Sequence, residues 1–313
     1  MMSRISWVVN EPVALLYSAI HGDTRAQAVA AKSDELQSKL TAVKAQFAAV
    51  PNSFTAAEHQ RAQRVFPFEQ ENGQGRQVVL PWLPVFAEIA KRTAASESHS
   101  TSRVETLVSE LLRAGDANSN GMPAADSLWQ GCYRELQLRL QPIRLQWEAR
   151  GPGMMRIIQQ LIGQPLGHSH HVVFLLMPVV GGFGICLPPT ERRLEHAGFL
   201  FEAVLTDTHP EFSEVLRLAW LITFEFLSTL QREPDDCSPQ NPLSGLFSNS
   251  STQQTAVLSL VLALSADGEQ RRGEQRRDVC DEATLIRATE WLKIGNQQLA
   301  REVHAVWSDR VVR

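Results

Sequence analysis

The chain is short of the residues that announce common chemistries. Its 313 residues hold four cysteines, Cys132, Cys186, Cys237 and Cys280, widely separated and without a CxxC pair. That spacing excludes a cysteine-rich zinc module and gives no disulfide framework; reduced thiols are the expectation. Charge of one sign is missing too. Thirty basic and 34 acidic side chains give a formal net charge of -4, so no general field draws the chain to nucleic acid or to an anionic membrane. Long apolar runs are lacking: residues 172–186 are interrupted by Pro178 and glycines, and residues 256–266 are short. Neither reaches the roughly 20 residues of a membrane-spanning helix. The apolar start is broken by Asn10, Glu11 and Pro12, so no secretory signal is read and a cytoplasmic location is expected.

Several motifs are missing as well. No GxSxG elbow, Walker loop, GxGxxG turn, HExxH or HxxEH occurs. His209-Pro210-Glu211 begins a deaminase-like HxE, but no PCxxC completes it. What remains is an ordinary globular composition, 43% hydrophobic and 20% charged, which argues against global disorder.

Hydrophobic periodicity supplies the architecture. Leu36, Leu40, Val43 and Phe47 make one apolar face of a helix over 24–50, ended by Pro51. Thr55 to Glu58 and Ser102 to Glu105 are capping boxes that open further helices. Between them the small polar run Thr93 to Ser102 is the best linker. It divides the chain into an N-terminal helical region, 1–93, and a core, 102–313, which can also be read as one continuous domain. A helix is expected over 124–150 with a kink at Pro142, a break at Gly151-Pro152-Gly153, and a short helix ending near Gly163.

At His171 the pattern changes. Val172–Val180 and Phe183–Leu187 are β-branched and apolar, with Gly181-Gly182 between them as a hairpin turn, and Gly198–Thr206 reads as a third strand. Apolar helices follow over 210–230 and 254–266. A last helix over 282–307 has heptad-like spacing interrupted by Gly295. Helices, then a small antiparallel sheet over about 172–206, then helices indicate a predominantly helical α+β fold.

Three segments carry candidate chemistry. His168-Ser169-His170-His171 puts His168 and His170 on one face of an extended entry, the start of a zinc site that His196 or His209 would complete. Asp116, Asn118, Asn120 and Gly121 resemble the first half of an EF-hand calcium loop over 116–127. Pro123 and Ser127 stand where an apolar residue and the bidentate Glu belong. The strands followed by the helix from Glu211 to Leu230 resemble the layout of zincin-like metallopeptidases; without HExxH, that resemblance implies a metal-free relative. A hydrolase-like site around 168–214 would draw its catalytic groups from His196, His209, Glu211 and Glu214.

With every standard motif incomplete, the residues favour a non-catalytic protein–protein interaction or regulatory module. Its contact surfaces would be the amphipathic segments 24–50 and 282–307, engaging a protein partner or a second copy, with no nucleic acid and no membrane.

Overall fold

A computed structural model describes residues 5–9, 14, 17, 124–166, 170–176, 184–187, 196–203, 212–232, 251–272, 280–292 and 294–312. These residues are mostly helical, with one small sheet. The linker at 93–102, the helix expected over 24–50 and both capping boxes lie outside them, as does the calcium-like loop up to Pro123.

Four strands form the sheet: β1 (Ile5–Val8), β2 (His170–Leu176), β3 (Gly184–Cys186) and β4 (His196–Glu202), in the order β1-β2-β4-β3. β1 and β4 both run parallel to β2, and β3 alone is antiparallel, on β4. The sheet is therefore mixed, which corrects the antiparallel expectation. The glycine pair at 181–182 does not close a hairpin between β2 and β3, because β2 already has β1 and β4 as neighbours. The composition of β2 explains the difference. Residues 171–176 are buried without alternation, the pattern of a central strand covered on both faces in a parallel arrangement. β1 escapes a periodicity search because four residues are too few to show a period; Ile5, Trp7 and Val8 are strand-formers all the same.

Register assigns the faces. Val172, Phe174 and Leu176 share one face with Gly198, Leu200 and Glu202, while His171, Val173 and Leu175 share the other with Phe199 and Phe201. The helix α1 (Ala124–Ile162) runs unbroken through Pro142, Gly151 and Pro152, where the sequence suggests a break. Two features carry it through. Leu136, Ile143, Trp147, Met154, Ile158 and Ile162 recur every four or seven residues and are all buried. At Gly151 the Trp147 indole crosses the helix so closely that a Cβ would meet its ring atoms at 2.4–2.7 Å. The end is as expected: Gly163 adopts φ 74° and its N–H reaches Gln159 O at 2.9 Å.

Helix α2 (Glu214–Arg232) opens on Ser213, whose Oγ accepts the Leu216 N–H at 3.3 Å. Residues 215–224 are buried all round, because α2 lies between the sheet and helices α1 and α3 (Thr252–Arg272). Helix α3 begins with a capping box, Gln254 N–H to Ser251 Oγ at 3.2 Å and Ser251 N–H to Gln254 Oε1 at 2.8 Å. Its buried hydroxyls donate to the preceding turn, Thr255 to Ser251 O at 3.1 Å and Ser259 to Thr255 O at 2.7 Å, so a packed helix accommodates them. Trp220 Nε1 donates to Ala256 O at 3.0 Å, joining α2 to α3. An Arg150–Asp267 ion pair joins α1 to α3.

The segment expected as one C-terminal helix is two, α4 (Glu282–Leu292) and α5 (Gln297–Val312). Gly295 sits at the corner, where a Cβ would lie 3.0 Å from Leu299 and 3.4 Å from Val257. Asn296 then caps α5, its Oδ1 accepting the Leu299 N–H at 2.8 Å. Leu285, Ala288, Leu292, Ala300 and Trp307 are all buried in the common core. Most of the apolar seam of 282–307 is thus used inside the fold, while Val306 is 42% exposed. No helix among the described residues is long and apolar enough to cross a membrane.

Candidate functional site

The most concentrated polar chemistry among the described residues lies at the carboxyl ends of the parallel strands, where open α/β sheets commonly place their sites. Glu202, the last residue of β4, is fully buried. Its carboxylate Oε1 accepts the Tyr17 hydroxyl at 2.8 Å. Its backbone carbonyl accepts both terminal nitrogens of Arg217, each at 3.1 Å. Tyr17 therefore meets the side chain of Glu202 on one side of the sheet while Arg217, from α2, meets its main chain from the other.

Arg217 is held on several sides. Its guanidinium carbon stands 4.6 Å from the centroid of Phe201 and 5.7 Å from that of Trp291, and Nη2 is 3.7 Å from Glu214 Oε1. Trp291 is itself placed by Phe212, with ring centroids 5.4 Å apart. Burial pushes the Arg217 pKa down to about 10, against the opposing pull of Glu214 and then Glu202. The group remains a cation at neutral pH.

Tyr17 and Glu202 are fully buried and Arg217 is 2% exposed, so the three groups of this cluster meet inside the core, where their bonds tie β4 to α2 and to Tyr17. The sequence holds one signal for it: Glu202 and Arg217 are single charges set in apolar runs, Phe-Leu-Phe-Glu and Val-Leu-Arg-Leu. A buried charge of that kind needs a partner. Nothing local identifies the partner, since Tyr17 lies 185 positions away.

The residues singled out from sequence fall as follows. Glu214 is half-buried beside Arg217. His209 and Glu211 lie outside the described residues, as do His168, Asp116, Asn118 and Asn120. His170 and His196 lie on β2 and β4 and are register partners, the first pair of that ladder. His171 sits on the opposite face, buried against Phe199 with ring centroids 5.4 Å apart. Among the described residues no three His, Cys, Asp or Glu side chains group as a metal site.

A second feature is on the surface. Leu138 is 70% exposed and Leu145 53%, and with exposed Pro142 and Ala149 they form one row at i, i+4, i+7 and i+11 on α1. The row runs opposite the helix face that builds the core. Charges flanking it pair within the helix, Arg139 with Glu135 at 3.0 Å and Arg144 with Glu148 at 2.7 Å.

Compared with known proteins, the chain matches no family model, no curated protein and no solved structure.

Proposed function

We propose that the chain is a non-catalytic protein–protein interaction module whose contact surface is the outer row of α1, and that a second copy of the chain occupies it. The exposed Leu138–Leu145 pair carries this reading. Leucines seven residues apart on one helix face are where an interface core is expected. The intrahelical ion pairs beside the row leave little field to recruit a strongly charged partner. The row is also self-complementary. If two copies of α1 met antiparallel about the point between Gln141 and Pro142, Leu138 of each would face Leu145 of the other, as a two-fold contact requires.

This reading moves the contact away from residues 282–307, most of whose apolar side is buried in the core, Val306 excepted. The test is the mass of the full chain in solution by light scattering across a concentration series. The expected result is a concentration-dependent dimer that Leu138→Glu or Leu145→Glu converts to a folded monomer, with an unchanged far-ultraviolet circular dichroism spectrum and a melting temperature that no longer rises with concentration. A wild-type chain that stays monomeric throughout, or a dimer indifferent to both substitutions, would overturn it.

A further inference from the structure

The apolar row of α1 has a charged edge with a direction. Arg134, Gln141 and Glu148 recur every seven residues along one flank of Leu138 and Leu145, and all three are exposed. Glu148 holds Arg144 of its own helix at 2.7 Å, and Arg134 forms no ion pair among the described residues. In chain order this flank reads cation, neutral amide, anion. Its sign reverses from one end to the other, so it complements a copy of itself only when that copy runs the opposite way.

We infer that two copies of α1 pack antiparallel and that Arg134 of each pairs with Glu148 of the other, which fixes the direction of the contact. This pairing rests on the two-copy reading above and adds its charge specificity. With Leu138 of each copy facing Leu145 of the other, Arg134 and Glu148 of the second copy stand within about 1.5 Å of level, one residue's rise. Gln141 then faces Gln141 of the second copy, amide to amide, at the two-fold axis. Packed helices lie about 8–10 Å apart, a gap that two long side chains span along its edge. The Glu148 carboxylate has two oxygens, so it accepts Arg134 of the second copy while keeping Arg144. On the other flank Arg139 comes nearest Gln146 of the second copy, a neutral residue. Parallel packing on the same leucines gives the opposite result. It sets each flank residue beside the one five positions further on in the other copy, which for Arg134 is Arg139 and for Glu148 is Gly153. Two cations then meet at each edge and no attractive pair forms. The leucines alone serve either direction; the charges select antiparallel.

The experiment measures self-association of the full chain by sedimentation equilibrium. The samples are the parent, Leu138→Glu, Arg134→Glu, Glu148→Arg, and an equimolar mixture of the two charge reversals. Each reversal alone turns two attractive pairs per dimer into two repulsive ones and should weaken the dimer by about tenfold or more. The mixture is the decisive sample. One chain then carries carboxylates at both positions and the other guanidiniums at both, so each pair is restored in the mixed dimer. That dimer should form within about threefold of the parent's affinity, a recovery that damage to either fold cannot produce. Three outcomes would overturn the pairing while Leu138→Glu still abolishes the dimer and the two-copy reading stands. They are single reversals that associate as the parent does, an Arg134→Glu chain that associates more tightly, as parallel packing requires, and a mixture no stronger than its parts. A parent chain that stays monomeric would overturn the pairing and the two-copy reading together.

Discussion

Replacing Arg217 by alanine removes a cation from the most tightly enclosed polar position in the molecule. Two charge-assisted hydrogen bonds to the Glu202 carbonyl contribute about 1.5–3 kcal/mol each. The guanidinium over Phe201 and Trp291 adds about 2 kcal/mol when desolvated. Against this stands the burial of the charge, seen in a pKa lowered from 12.5 to about 10, which is worth roughly 3 kcal/mol. The attractive terms win, and alanine also leaves a cavity. A loss of about 3–5 kcal/mol is expected, the range for removing one member of a buried ionic network. For a chain of this size that is on the order of a 10 °C drop in melting temperature. Arg217→Met is the informative companion. It keeps the stem in place and discards the desolvation cost, so it should lose less than half as much. Thermal melts followed by near-ultraviolet circular dichroism decide the matter. If Arg217→Ala melted within about 2 °C of the parent, the cluster would be incidental to stability and the argument would fail.

Three further outcomes follow from single positions. Burial, with a smaller push from Asp281, raises the Cys280 thiol to about 12; at pH 8 its thiolate is scarcer than that of an ordinary thiol by on the order of a thousandfold. Iodoacetamide should therefore label Cys280 slowly in the native chain and fast in urea, and equal rates in both would refute the burial argument. Gly151→Ala should lower stability by about 1–3 kcal/mol through overpacking against Trp147, although alanine favours helix by about 1 kcal/mol; a stabilised variant in urea denaturation would show that the indole yields. Asp281 caps α4, and its carboxyl pKa is lowered first by the Thr284 hydroxyl and then by the Thr284 N–H. A group depressed on folding stabilises above its unfolded pKa and ceases to as pH falls through the folded value, so Asp281→Ala should flatten the decline of melting temperature below about pH 4; an unchanged acid limb would count against the cap.

Local patterns and distant pairings differ in how far the sequence exposes them. Helix α2 and most of α3 are legible because apolar residues recur at helical spacing, and the end of α1 because Gly163 follows Ile162. The start of α3 is legible from Ser251 and Gln254, the two ends of a four-residue capping box. Continuity of α1 through Gly151 and Pro152 is not legible, since it depends on the Trp147 indole and on burial of the next three turns, and tertiary packing overrides local propensity. Strand direction is not legible either. The apolar runs of β2 and β4 announce strands, but which strand lies beside which is settled by β1, four residues long and more than 160 positions away. The Glu202 cluster is hidden for the same reason, because its tyrosine is remote in sequence. The histidines were visible as candidates; only the ladder shows that His170 and His196 stand level.

The Tyr17–Glu202 bond also sets a timetable for synthesis. Its two residues are 185 positions apart, and at about 5–20 residues per second a ribosome needs roughly 10–40 s to travel between them. Until β4 emerges, Tyr17 lacks its acceptor, and β1 lacks its neighbour until β2 does. Throughout that interval β1 is an unpaired strand of the nascent chain, so slower elongation through residues 20–200 prolongs the period in which that strand can pair wrongly.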